Sequence, residues 1–155
     1  MKQKNKHIFV FGIFAVDLSF YVDKKVKPGE TIIAKSSNIG PGGKASNQAI
    51  SARKLGASTT LITRLGNDNF NSYAHDIWRR EKLFASTTID KNLPTGMAGI
   101  FIDDKTGENS VIVDPGASTH LSINDFYLQK SKMKKGDIFL TQFEQSSDTT
   151  FAVLK

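Results

Sequence analysis

The sequence predicts an α/β protein, with strands of a mostly parallel sheet alternating with flanking helices. Three observations carry this expectation. His7 to Ile13 is a short unbroken apolar run, the pattern of a strand buried on both faces. Gly40 to Gly43 holds three glycines and a proline, and it opens directly onto Ala45, Ala49, Ala52 and Leu55, which fall on one helical face. Gly56 stops that helix, and the β-branched stretch Ser58 to Thr63 resumes as a strand.

Composition bounds the function classes. The 155 residues suffice for a single domain, and 39% hydrophobic with 23% charged residues marks a folded rather than a disordered chain. There is no apolar run long enough to cross a bilayer, so no membrane partner is expected. The basic start, Met1 to Lys6, is followed by an apolar stretch broken by Asp17, without a small-residue cleavage site; no signal peptide is expected. Zero cysteines exclude disulfides and thiolate metal sites, and they point to the cytoplasm. Net charge is +6 with a pI near 9.5, which raises nucleic acid as a partner. The basic residues are scattered, however, with small knots at Lys24-Lys25-Lys27 and Lys130-Lys132-Lys134-Lys135 that no aromatics interleave. They read as solvated faces, and no nucleic-acid partner is expected.

Further elements follow in order. Leu18 to Val22 and Thr31 to Ser36 read as two strands around the turn signal Pro28-Gly29. Asp68 is a helix N-cap ahead of Phe70, Ala74, Ile77 and Trp78 at helical spacing. Met97 to Ile102 and Ser110 to Val113 flank a polar loop as a hairpin. Asp114 to Ala117 is a break. Ser122 and Asp125 start a short helix, Asp137 to Thr141 is a strand, and Ser146 or Ser147 caps a last helix. The order is that of the first half of a Rossmann-like sheet. His7, His75 and His120 lack metal-ligand spacing and are expected to be structural or exposed.

The glycine segment carries the chemistry. Glycines leading into a helix let backbone N–H groups approach a ligand's oxygens at the positive end of the helix dipole. Lys44 adds a full charge, and Asn47 can both donate and accept one turn on. A P-loop is excluded, because position 38 is Asn and Ala45 follows Lys44. A dinucleotide fingerprint fits Gly40, Gly42 and Ala45 by letter but lies far from the first strand. Glu144, at the carboxyl end of a strand, and Asp17 are further site candidates.

The segment Gly42-Gly43-Lys44-Ala45-Ser46-Asn47-Gln48-Ala49 resembles the Gly-Gly-Lys-Gly-Ala-Asn-Gln-Ala signature of the ribokinase-like (PfkB) carbohydrate kinases. Pro28-Gly29-Glu30-Thr31, Gly66-Asn67-Asp68 and Thr95-Gly96 resemble further landmarks of that family, in its order. The resemblance implies a ribokinase fold in which residues 1–155 are one N-terminal part. Strands at about 18–36 and 97–113 would form a small β-sheet lid, and the C-terminal nucleotide-binding half would be absent. It implies the substrate half of an ATP-dependent sugar kinase. Asp17, Gly42, Gly43, Lys44, Asn47 and Glu144 would hold the sugar, and two lids would clasp in a homodimer. ATP, Mg2+ and K+ would belong to the complete enzyme, as would the catalytic base. The family's Gly-Ala-Gly-Asp does not occur here, so this chain alone is expected to be inactive. Ala15 stands where ribose-specific members carry Asn and Phe14 is bulky, implying a substrate other than ribose. A non-catalytic sugar- or nucleoside-binding module and a dinucleotide-binding domain are the alternatives.

Overall fold

The computed structural model describes residues 6–134 and 137–155. Its body is a parallel sheet of β1 (His7–Phe11), β4 (Ser58–Gly66), β5 (Phe84–Asp90) and β8 (Ile138–Thr141), in the order β5-β4-β1-β8. Residues alternate between the two faces of these strands. Val10 and Leu61 pack on one face with α1 (Lys44–Lys54) and α2 (Asn69–Arg80) through Ala45, Ala49, Ala74 and Trp78. Phe9, Phe11 and Ile62 pack on the other with α3 (Ile123–Lys130) and α4 (Ser147–Leu154) through Phe126 and Val153. Among the described residues no helix is long and apolar enough to cross a membrane.

A second sheet joins β2 (Ala15–Val22), β3 (Ser36–Gly42), β6 (Met97–Asp103) and β7 (Asn109–Asp114) in the order β3-β2-β6-β7. The two hairpins are fused by a parallel pairing of β2 with β6, from Val16 opposite Met97 to Val22 opposite Asp103.

Two expectations need correction. The partner of β2 is not Thr31 to Ser36 but Ser36–Gly42, with Tyr21 opposite Ser36 and Ala15 opposite Gly42. The Pro28-Gly29 turn forms where it was expected, closed by Glu30 N–H donating to the Lys27 carbonyl at 3.0 Å. The chain then runs on irregularly before it pairs. The glycine segment is therefore the end of an edge strand, where Pro41 leaves no interior ladder bond unmade. Strand β5 was not anticipated. Phe84-Ala85-Ser86-Thr87-Thr88-Ile89-Asp90 lies at the sheet edge, and its mixed polarity follows from being only half covered.

The helix starts follow the sequence. Asp68 accepts from Asn71 N–H at 3.1 Å, and Ser122 and Asp125 form a reciprocal capping box. Asp68 also accepts from Thr95 N–H at 2.6 Å and Thr95 Oγ1 at 2.8 Å, tying the start of α2 to the link that leads into β6. Arg64 on β4 bridges the buried Asp90 and Asp125, at 3.4 and 3.1 Å, and so locks β5 and α3 to the sheet. His120 Nδ1 lies 2.8 Å from Asp90, and His7 lies between Thr60 and Ser58 hydroxyls at 2.8 Å each.

The Asn92 N–H, followed by His120, holds the Asp90 carboxyl down to about 2. Its unfolded value is about 4. A depressed acid stabilises the fold fully above its unfolded value and loses that contribution as pH falls through the folded one. The urea stability of Asp90→Asn is thus expected to vary less steeply than wild type between about pH 4 and pH 2. Equal slopes would show that these contacts do not hold the charge.

Candidate functional site

The site forms where the carboxyl ends of the parallel strands meet the second sheet. Asp17 lies on β2, opposite Gly40 on β3. Its carboxylate leans over Gly42, where a Cβ would lie 2.1 Å from Asp17 Oδ1. Gly43 follows with φ +82° and serves as the N-cap of α1. A side chain here would meet the Ile13 carbonyl oxygen at 2.5 Å. These two glycines let the edge strand pass against the end of β1 and turn at once into a helix.

Lys44 is the first helical residue. Its backbone N–H donates to Glu144 Oε2 at 2.6 Å and its ammonium to Glu144 Oε1 at 2.6 Å. Glu144 sits after β8, 100 positions away, so one carboxylate ties the segment after β8 to the N-terminus of α1. Burial, and then the negative charge of Glu144, push the Asp17 carboxyl above its usual range. Two acids thus share the site, with Lys44 as the nearby counter-charge on Glu144.

Of the six expected residues, Asp17, Gly42, Lys44 and Glu144 are brought together, with Gly43 shaping the turn. Asn47 lies one turn along α1, exposed, and its side chain makes no hydrogen bond among the described residues. The N-terminus of α1, expected to face a ligand's oxygens, faces those of the Glu144 carboxylate. Phe14 does not face this site. It is fully buried and packs edge-on against Trp78, ring centroids 5.2 Å apart. Gln48 and Gln142 were missed; Gln142 Nε2 donates to Gln48 Oε1 beside the cluster. The available signal was position, since Gln142 immediately follows β8, two residues before Glu144. The dinucleotide reading loses its geometric basis, because Gly40 and Gly42 lie in the second sheet and not in a turn after β1.

A parallel sheet with helices on both faces, joined through a glycine-opened helix to a second small sheet, defines an α/β protein of the ribokinase fold. Residues 5–148 match the profile of the pfkB family carbohydrate kinases, and the chain belongs to that family. It is 34% identical over 150 residues to a ribokinase of Dictyostelium discoideum, covering 96% of this chain and 47% of the relative. It is 32% identical over 151 residues to a deoxyribokinase of Salmonella typhimurium, covering 96% and 48%. The solved structure of the Giardia lamblia ribokinase superposes with a TM-score of 0.88 at 27% identity, covering 96% of this chain and 48% of that one. The chain spans about half the length of the curated relatives it matches.

The two glycines are expected to respond differently. Gly43→Ala forces a side chain into a positive-φ position against backbone and should cost about 2–3 kcal/mol in urea denaturation. Gly42→Ala meets only a side chain, so it should cost about 1 kcal/mol while displacing the Asp17 carboxylate. The reverse order would refute the placement of the seam.

Proposed function

We propose that this chain is the substrate-holding half of an ATP-dependent sugar kinase. Asp17, the Gly42-Gly43 backbone, Lys44, Asn47 and Glu144 bind and orient the hydroxyls of a sugar or a related polyol or nucleoside. The observation that carries this reading is the meeting of Asp17, Gly42, Lys44 and Glu144. Sugar hydroxyls donate hydrogen bonds, and carboxylates are the strongest acceptors a protein offers them. Both acids lie at the carboxyl end of a parallel sheet, where open α/β folds take ligands. The second sheet acts as the lid that excludes water.

The residues present do not fit ATP. Among the described residues the one α-helix with a glycine N-cap already holds the Glu144 carboxylate, and a second anion there would be repelled. On this reading ATP, Mg2+, K+ and the catalytic base belong to the complete enzyme, which works in the cytoplasm, and residues 1–155 position substrate without transferring phosphate. Ile39, Ile112 and Val113 are exposed on the second sheet, at 55%, 70% and 56%, and support a homodimer clasped through the lids.

Asp17 supplies the decisive test. A carboxyl whose folded pKa is raised contributes stability below its unfolded value and loses it as pH rises through the folded one. Asp17→Asn should therefore melt above wild type at pH 7, yet bind sugar at least about tenfold more weakly by calorimetry. Unchanged sugar affinity would sink the reading. Ala15 and Asp17 share one face of β2, so Ala15 presents a methyl group beside the sugar. In the complete enzyme a substrate other than ribose is expected to be preferred; ribose best by about tenfold, or 1.4 kcal/mol, would count against this.

Two further measurements use the same preparations. ADP release by residues 1–155 with ATP, Mg2+, K+ and a sugar panel should show no sugar-dependent turnover. A rate of about 1 per second would overturn the assignment of the base elsewhere. Light scattering of the complete protein at micromolar concentration should give a dimer, and a monomer would remove the clasp.

A further inference from the structure

The other end of the parallel sheet carries a feature the sugar site does not use. A cavity of about 780 Å3 opens where the strands begin, with His7, Ser58 and Phe84 at the starts of β1, β4 and β5 in its wall. Its volume lies in the range of small-molecule sites. Five cations line it: Lys6, Arg53, Lys82, Lys132 and Lys134. One carboxylate, Asp137, accompanies them, and it is already engaged by the backbone N–H groups of His7 at 3.2 Å and Lys134 at 2.8 Å. None of the five forms a salt bridge among the described residues.

Basic residues at helix C-termini ordinarily offset the helix dipole, and Arg53 does so. Lys82 and Lys132, each the first residue past the cap of α2 or α3, lie within reach of the same effect, but Lys6 and Lys134 do not. Lys6 precedes β1, and Lys134 lies further beyond the end of α3. Lys82 is the one non-glycine residue with positive φ among the described residues, at 52°. It closes α2, its N–H donating to the Arg79 carbonyl at 3.1 Å, at the position where helices ordinarily use Gly or Asn. A lysine there retains strain that glycine would remove, and it brings an ammonium group to the cavity wall.

The cavity also offers a ring and an acceptor. Phe84 is 58% exposed, with the Lys132 ammonium 5.8 Å from its ring centroid. Gln129 is buried; its Nε2 donates to Ser86 Oγ at 2.7 Å, and its Oε1 has no partner among the described residues. Cations beside a flat apolar surface suit a phosphate attached to a ring.

We propose that this cavity binds a small organic phosphate, its phosphate held by Lys82, Lys132 and Arg53 and its organic part set against Phe84, at the opposite end of the sheet from Asp17 and Glu144. The test is a titration of 15N-labelled residues 1–155 with inorganic phosphate, pyrophosphate and AMP at fixed ionic strength. Saturable amide shifts are expected at Ser58, Thr60 and Phe84. Tighter binding of AMP than of inorganic phosphate is expected, because the ring then adds contact with Phe84; equal affinity for the two would overturn the assignment of an organic phosphate. The variant Lys82→Gly with Lys132→Gln removes two charges while glycine relieves the positive φ, so the fold is retained. It should weaken binding about tenfold or more and leave amide positions away from the cavity unchanged. No saturation by any of the three anions below about 10 mM, equal affinity in the double variant, or shifts centred on Lys44 would each overturn the proposal.

Discussion

The close approach at Gly42 and Gly43 is the constraint on which the rest of this structure depends. The end of β3 must pass Asp17 on one side and the Ile13 carbonyl on the other, with no room for a Cβ at either step. Because it passes, α1 starts directly against the carboxyl end of β1, with Ser46 N–H reaching the Ile13 carbonyl at 3.4 Å. That start fixes Ala45 and Ala49 against Val10 and Leu61 in the core. The same start aims the Lys44 N–H at Glu144. The packing of the body and the geometry of the site are thus consequences of a single turn.

The sequence showed this turn because its cause is local. Glycine spacing, an alanine face and a stop at Gly56 are written in neighbouring residues, as are the caps at Asp68 and Ser122. What escaped was set by pairing at a distance. The strand beside β2 falls at Ser36–Gly42 because its register answers to Ala15 and Tyr21, and nothing in the polar stretch itself marks it as β. Strand β5 escaped because an edge strand covered on one side needs no continuous apolar run. Phe14 looked like a neighbour of the sugar because it adjoins Ala15; it lies in the link before β2, and its ring is buried in the core against Trp78. Asp17 and Glu144 were legible singly, but their mutual repulsion, and the hold of Lys44 on Glu144, exist only once the sheet has formed.

Charge is sorted along the strand direction. At the carboxyl ends two acids stand over a glycine strand with one lysine between chain segments. At the amino ends five cations surround one carboxylate already held by backbone N–H groups. A net charge of +6 averages over these two environments and describes neither. A neutral polyol brings donors and asks for acceptors; an anion brings acceptors and asks for donors. The acid end is therefore matched to hydroxyl groups and mismatched to phosphate. Glu144 enforces that difference by filling the helix N-terminus that an anion would otherwise seek. On the proposed reading a sugar can enter beside Asp17 without disturbing this clamp, because the Asn47 side chain and the Asp17 carboxylate make no hydrogen bond among the described residues and stay open to its hydroxyls. The lysine that neutralises Glu144 is then better understood as a support that keeps the acid pointed at α1 than as a phosphate ligand, despite the glycines in front of it.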